Sequence, residues 1–240
     1  MLYVTATPIG NLEDISLRAL RVLREADIIA CEDTRQTAKL AAEFGLRAHL
    51  VSYHQHSSRS RLELLLSELK RGKNIAVVSD GGTPGISDPG LVLIKGALKE
   101  NIKITHLPGP TACISALVLS GLPTDGFVFL GFLPRKKGKI KKLLQNAVKL
   151  GKTVIFYESP YRLKGSLECL RDLLGGDIQA AVAREITKKF EEIIRGSLKE
   201  VEDAISSKKI MGEITVVFSP DCDKSREREN EDIAFKEALI

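Results

Sequence analysis

The sequence predicts an α/β protein with two domains, each built on its own sheet. In the first 120 residues strand-like apolar runs alternate with helical patterns, which is typical of a mostly parallel sheet with helices on both faces. After the turn-rich segment at residues 121–126 the alternation is less regular, which predicts a mixed sheet with helices. With 240 residues, 43% of them hydrophobic, the chain can form two cores. We expect domains at residues 1–120 and 121–220, followed by a charged tail at residues 221–240.

The expected elements of the first domain follow from apolar periodicity. Strands are predicted at residues 2–6, 27–31, 48–52, 75–79 and 103–107. Helices are predicted at residues 12–25, 59–71 and 89–99, where apolar side chains recur every three or four positions. Asn11 stands where it could cap the first of these helices.

The same patterns assign the second domain. Strands are predicted at residues 127–131, 153–157, 179–183, 192–195 and 213–218. Helices are predicted at residues 139–150, 161–173 and 197–206.

Composition excludes several classes of protein. No apolar stretch reaches the roughly 18 residues that a membrane helix needs, and residues 1–5 form a strand-like run without the basic flank of a signal peptide. We therefore expect a cytoplasmic protein without a membrane segment. The cysteines are scattered without metal-site or redox spacing, and His54-Gln55-His56 has no third ligand at a suitable spacing. We therefore expect neither a disulfide framework nor a bound metal.

Positive charge is concentrated in one stretch of the chain. Residues 135–152 carry eight basic side chains and no acid, against a net charge of +5 for the whole protein. A solvated helix face would account for this run, and so would a surface that binds phosphate groups. Because the helical pattern at residues 161–173 mixes both signs, we favour nucleic acid binding.

A loop rich in glycine and proline follows the apolar run at residues 75–78. Its sequence is Ser79-Asp80-Gly81-Gly82-Thr83-Pro84-Gly85-Ile86-Ser87-Asp88-Pro89-Gly90. Glycine allows a ligand to approach the backbone closely, and ligands commonly bind at the carboxyl ends of strands in α/β sheets. The loop is therefore either a ligand cradle or an ordinary irregular connection.

Seven short motifs occur in one order along residues 1–220. They are Thr7-Pro8-Ile9-Gly10-Asn11-Leu12, Cys31-Glu32-Asp33-Thr34-Arg35, the loop at residues 80–90, Pro108-Gly109-Pro110-Thr111-Ala112, Gly131-Phe132-Leu133-Pro134, Phe156-Tyr157-Glu158-Ser159-Pro160 and Ala183-Arg184-Glu185-Ile186-Thr187-Lys188. Their order and spacing resemble the tetrapyrrole methylase superfamily of S-adenosylmethionine-dependent methyltransferases. They are especially similar to its branch that methylates the ribose 2′-hydroxyl of cytidine 1402 in the decoding centre of 16S ribosomal RNA.

The resemblance implies a tetrapyrrole methylase-like fold, a homodimer and S-adenosylmethionine in the cleft between the domains. It implies cofactor contacts at Pro8, Gly81, Gly82, Thr83, Ile86, Thr111, Ala112, Glu158 and Ile186. Backbone groups in tight loops can bind such a molecule, and Thr111 begins a helix whose free amides suit a carboxylate. Since the sulfonium is already an activated methyl donor, the reaction needs no metal.

The sequence identifies the residues that act on the RNA acceptor less clearly than those that bind the cofactor. A ribose hydroxyl reacts better beside a base, and the acids available are Glu32, Asp33, Glu158 and Glu185. The clusters at residues 32–35 and 184–188 could equally be a helix cap with a salt bridge and a structural ion network, so the base stays open. Contacts to 16S rRNA in the small ribosomal subunit are expected at Glu32, Asp33, Arg35, Arg135, Lys136, Lys137, Arg184, Glu185 and Lys188.

Two aromatic residues and two rival functions stay open as well. Tyr53 and Phe132 could stack on RNA bases, although we slightly favour a place in the core for both. The same fold and cofactor could serve a tetrapyrrole or protein acceptor, or a ribosome-assembly factor without activity. The basic run and the motif at residues 31–35 favour RNA as the acceptor.

Overall fold

The computed structural model describes residues 1–54 and 58–220. Within it the chain divides into two compact units, Met1–Ala112 and the part from Cys113 onward. The predicted charged tail and His56 of the histidine pair lie outside the described residues. No helix in the described part is long and apolar enough to span a membrane.

The first unit is built on a sheet in which every strand pair is parallel. Its strands are β1 (Leu2–Thr5), β2 (Ile28–Cys31), β3 (His49–Ser52), β4 (Ile75–Val78) and β5 (Ile104–Leu107), and its helices are α1 (Leu17–Glu25), α2 (Thr34–Phe44), α3 (Arg59–Lys70) and α4 (Leu91–Lys99). The strand order is β3-β2-β4-β1-β5. The parallel sheet predicted from the sequence is confirmed.

Helices cover both faces of this sheet. One face packs against α1 and α2, through residues such as Leu23 and Leu40. The other face packs against α3 and α4, through residues such as Leu65 and Leu93. The chain therefore leaves β2 toward one face and leaves the adjacent strand β4 toward the other. Connections that diverge in this way open a crevice at the carboxyl ends of the two strands, where α/β proteins commonly bind ligands.

The first predicted helix is shorter than its periodicity suggests. Leu12–Asp14 form a 3-10 turn, and Asn11 caps that turn by accepting a hydrogen bond from the Glu13 amide. The α-helix begins only at Leu17, after Ser16, whose hydroxyl accepts from the Ala19 amide. The prediction of one helix over residues 12–25 was wrong because a second, better cap lies inside the apolar pattern.

The second unit contains a mixed sheet, as predicted. Its strands are β6 (Phe127–Phe132), β7 (Thr153–Glu158), β8 (Gln179–Arg184), β9 (Glu192–Ser197) and β10 (Ile214–Phe218), and its helices are α5 (Ala112–Ser120), which begins at the last residue of the first unit, α6 (Lys137–Val148), α7 (Pro160–Leu174) and α8 (Leu198–Ser206). The strand order is β6-β7-β10-β8-β9, in which only β6 and β7 pair in parallel. Phe156 and Phe218 lie in its core with apolar residues of α6, α7 and α8.

Candidate functional site

The loop after β4 is fixed against the loop after β1. Thr7 and Gly82 form a two-way backbone bridge, with both N–H to O distances at 2.9 Å. A Cβ on Gly81 would stand 3.1 Å from the carbonyl oxygen of Pro8, and Gly82 has a φ of +88°. Glycine at position 81 relieves a tight approach to the Pro8 carbonyl, and position 82 favours glycine for its backbone conformation. The glycines hold two loops together at the carboxyl edge of the sheet.

Two threonine hydroxyls join this loop to the start of α5. Thr83 Oγ1 lies 2.7 Å from Thr111 Oγ1 and donates to the Pro110 carbonyl at 3.2 Å. Thr111 directly precedes the first residue of α5. The amide of Cys113, in the first turn of α5, donates to the Tyr157 hydroxyl at 3.1 Å, so the expectation of free amides here does not hold at Cys113, and this corner presents the two threonine hydroxyls. The predicted cofactor residues Pro8, Gly81, Gly82, Thr83, Thr111 and Ala112 thus belong to one continuous arrangement in the first unit.

Asp33 has the structural role that the sequence left open. Its carboxylate caps α2 by accepting from the Arg35 amide at 2.8 Å, and it pairs with the Arg35 guanidinium at 2.7 Å. The Arg35 side chain and then the Arg35 amide lower the pKa of Asp33 to about 2. The Asp33 amide in turn donates to Asp80 Oδ1 at 3.0 Å. Asp33 and Arg35 therefore order this loop and tie it to the glycine loop.

Glu32 differs from its neighbour. It is half-buried, and its carboxylate has no hydrogen bond or ion pair with any residue that the structure describes. Burial raises the pKa of Glu32, the negative charges of Asp80 and Asp33 raise it further, and His54 opposes them. Glu32 follows β2, Asp80 follows β4 and His54 follows β3, and these three strands are neighbours in the sheet. The sequence analysis did not single out Asp80 as a site residue, although its place directly before the glycine pair could have suggested it.

A cavity of about 420 Å³ opens beside Asp80 in the first unit. It is lined by Thr7, Pro8, Ile9, Gly10, Leu12, Gln36, Thr37, Lys39, Leu40, Glu43, Val78, Ser79 and Asp80. The lining combines apolar side chains with about as many polar and charged ones, and the volume lies in the range of small-molecule pockets. The loop after β1, helix α2 and the end of β4 therefore enclose enough space for a ligand.

Glu158, at the end of β7, is an internal structural group. Its side chain is fully buried, and its carboxylate accepts from the Ser159 amide at 2.9 Å and the Ser166 hydroxyl at 2.6 Å. Arg162 Nη2 lies 3.3 Å away and also donates to two backbone carbonyls. These contacts connect the end of β7 to α7 and stabilise the packing of the helix at this point. Ile186, the other cofactor residue predicted in the second unit, is buried.

The segment at residues 184–188 forms the ion network that the sequence left as one of two possibilities. Lys188 Nζ lies 3.0 Å from Glu185 and 2.9 Å from Glu213, and Arg184 lies 3.3 Å from Glu192. Burial alone would raise the pKa of Glu185, but hydrogen bonds from the Glu213 amide and Lys188, with nearby positive charge, leave that pKa lowered. Glu185 is therefore a poor proton acceptor near neutral pH.

The basic stretch is exposed in the second unit. Arg135, Lys136 and Lys137, at the start of α6, are exposed, and none forms an ion pair within the described part of the chain. Phe132 immediately precedes this region; it is 60% exposed and packs edge-on against Tyr157, with ring centroids 5.5 Å apart. The expectation of a core position was therefore wrong for Phe132 and right for Tyr53, which is 4% exposed. Phe132 is the last residue of β6, and its ring therefore stays accessible to solvent.

The family to which the chain belongs follows from comparison with known proteins. Residues 1–202 match the family described as Tetrapyrrole (Corrin/Porphyrin) Methylases. The chain belongs to this methylase family. The resemblance drawn from the seven motifs is confirmed.

Curated relatives cover nearly the whole chain. A protein of Halalkalibacterium halodurans is 45% identical over 223 residues, which are 93% of this chain and 77% of the relative. One of Thermotoga maritima is 44% identical over 91% of this chain and 97% of the relative, and one of Bacillus subtilis is 46% identical over 90% and 74%. All three are named ribosomal RNA small subunit methyltransferase I.

Solved structures share the fold at lower identity. The methyltransferase CobJ superposes with a TM-score of 0.69 at 21% identity, covering 91% of this chain and 93% of that one. Uroporphyrin-III C-methyltransferase of Thermus thermophilus, solved with S-adenosyl homocysteine, gives 0.62 at 18% identity, covering 91% and 96%. The predicted fold class is thereby confirmed.

Proposed function

We propose that this methylase transfers a methyl group from S-adenosylmethionine to the ribose 2′-hydroxyl of cytidine 1402 in 16S rRNA. The observation that carries the proposal is the set of relatives named ribosomal RNA small subunit methyltransferase I, which are 44–46% identical over at least nine-tenths of this chain. The finer assignment to one ribose comes from the resemblance of the seven motifs. The partners proposed with it are the small ribosomal subunit and a second copy of this chain, in the cytoplasm.

The first unit fits the methyl donor. When bound, S-adenosylmethionine supplies a methyl group already activated on a sulfonium. The bare backbone at Gly81 and Gly82 and the paired hydroxyls of Thr83 and Thr111 are groups that bind adenosine and amino acid moieties. Pro8, Ile86 and Ala112 would complete this side of the site.

Two predicted contacts lie in the second unit, at Glu158 and Ile186. Because the Glu158 carboxylate is already satisfied by Ser159, Ser166 and Arg162, we expect backbone atoms rather than this side chain to be used there. The role of the protein in the transfer is to orient donor and acceptor and to exclude water.

The exposed basic stretch supports RNA as the acceptor. Single-stranded and looped RNA is bound by cations that contact phosphates and by aromatic rings on which bases stack. Phe132 supplies an exposed ring, and Arg135, Lys136 and Lys137, a few residues later, supply exposed cations without an ion-pair partner among the described residues. We propose that these residues bind one strand of the rRNA around the target.

The test is methyl transfer to small ribosomal subunits from cells that lack the modification. The purified chain is incubated with labelled S-adenosylmethionine, and the labelled nucleotide and its position on the ribose are then mapped. We expect one labelled 2′-O-methylcytidine in the decoding centre. Label on a base or on protein would refute the ribose assignment, and binding of both partners without transfer would indicate an assembly factor.

A further inference from the structure

We propose that Glu32 is the general base that accepts the proton of the ribose 2′-hydroxyl. This inference rests on the proposed function and adds a catalytic residue to it. The sequence left four acids for this role, namely Glu32, Asp33, Glu158 and Glu185. The structure separates them by their hydrogen-bond partners.

Three of the four carboxylates are engaged in structural contacts. Asp33 caps α2 and pairs with Arg35. Glu158 is buried, accepts from Ser159 and Ser166 and pairs with Arg162, and Glu185 accepts from Lys188 and the Glu213 amide. A carboxylate whose oxygens are already held by structural contacts is poorly placed to accept a proton from an incoming hydroxyl. Among the described residues, Glu32 is the candidate whose carboxylate has no such partner.

The position of Glu32 is where the fold leaves room for a substrate. It follows β2, and Asp80 follows the neighbouring strand β4, at the point where the chain leaves the two strands toward opposite faces. The Asp33 amide bonds Asp80 Oδ1 at 3.0 Å, so that Glu32 lies beside the loop proposed to bind the methyl donor. Asp80 also lines the cavity of about 420 Å³; Glu32 does not line that cavity and is linked to it through the contact between the Asp33 amide and Asp80.

The charges around Glu32 make its carboxylate more basic. The pKa of Glu32 is raised, chiefly by burial and further by the negative charges of Asp80 and Asp33. His54, which follows β3, acts in the opposite direction but does not cancel the rise. A base of raised pKa takes a proton more readily, provided that it is ionised at the working pH. The rate should therefore increase as pH rises through this pKa and then level off.

The step balances without a further reactant. The proton passes from the 2′-oxygen to the Glu32 carboxylate, and the electron pair left on that oxygen forms the new bond to the methyl carbon. The bond between that carbon and sulfur breaks, and its electrons stay on sulfur. The products are the 2′-O-methylated ribose, S-adenosylhomocysteine and a protonated Glu32, which returns its proton to water.

The test compares Glu32→Gln and Glu32→Asp with a matched control, Glu25→Gln. Glu25 is an exposed acid at the end of α1, on the side where the chain enters β2 rather than leaves it. Gln at position 32 removes repulsion with Asp80 and Asp33, so we expect this variant to fold, which circular dichroism checks. Single-turnover methyl transfer to unmodified small subunits is measured from pH 5 to 9, and binding of S-adenosylmethionine and of the subunit is measured separately.

We expect Glu32→Gln to lose about 100-fold or more in rate and the rising limb of its pH profile, with both binding constants unchanged within about threefold. Glu32→Asp should recover part of the rate, and Glu25→Gln should match the unaltered protein. A Glu32→Gln rate within threefold of the unaltered protein, with the same pH profile, would overturn the inference and leave the proposed function intact. No transfer by the unaltered protein would overturn the proposed function, and this inference with it.

Discussion

Replacing Glu158 by glutamine should destabilise the second unit. Its buried carboxylate accepts from the Ser159 amide and the Ser166 hydroxyl and forms an ion pair with Arg162 at 3.3 Å. Hydrogen bonds to a charged group contribute about 1.5–3 kcal/mol each and neutral ones about 0.5–1.5 kcal/mol, so that two weakened bonds account for about 2 kcal/mol. The new amide N–H₂ must also face a donor, which adds about 1 kcal/mol.

The expected loss of unfolding free energy for Glu158→Gln is therefore about 3 kcal/mol. It corresponds to a fall in melting temperature of about 6–12 °C for a protein of this size. Arg162 adds little to the loss because it keeps its bonds to two backbone carbonyls. Denaturant unfolding and thermal unfolding, both followed by circular dichroism, measure the two quantities.

The control for this prediction lies on the same helix. Glu168 is exposed on α7, and Glu168→Gln should change stability by no more than about 0.5 kcal/mol. Ser166→Ala removes one of the two hydrogen-bond donors, and its effect should not add to that of Glu158→Gln because both changes act on one network. A loss below about 1 kcal/mol for Glu158→Gln would refute the view that this carboxylate fastens β7 to α7.

Three further changes test the surface, the donor site and the helix cap. Phe132→Ala should weaken binding of a single-stranded decoding-centre RNA about tenfold by loss of stacking, measured by fluorescence anisotropy; Phe127→Ala, at the other end of β6, is the control, and equal effects would contradict the assignment. Thr83→Val should weaken binding of S-adenosylmethionine in calorimetry while the fold is retained, and unchanged affinity would argue against a donor contact there. The pKa of Asp33 is lowered to about 2 by Arg35, so its ionised form stabilises the fold above its ordinary pKa and this stability is lost as pH falls toward 2. Asp33→Asn should therefore flatten the acid limb of the stability profile, and an unaltered limb would contradict it.

The strands could be predicted from the sequence because burial on both faces leaves a continuous apolar run. Every residue of β4 (Ile75–Val78) is buried, and the predicted strand differs from it by one residue. Helix α2 was missing from the predicted elements. Thr37 is its one fully buried residue, and Leu40 and Phe44 are its only large apolar side chains, so a search for runs of large apolar residues did not reveal it.

The candidate site was only partly predictable. The glycine loop and the start of α5 were found because backbone chemistry leaves a signal in the sequence, namely glycine, proline and a capping residue. The roles of the four acids could not be separated, because each depends on which donors the fold brings near. The donor that meets Asp80 comes from a residue 47 positions away, a pairing that local sequence does not encode.

The central place of β1 has a consequence for synthesis of the chain. Leu2 and Val4 are buried in the finished sheet, yet their strand pairs with β4 and β5, which are made roughly 70 to 100 residues later. At about 5–20 residues per second, the first strand leaves the ribosome several seconds before its neighbours exist. During that interval an apolar segment with open backbone groups is exposed to other nascent chains. Of the strands in this sheet, β1 thus has the longest wait for its first pairing partner while translation continues.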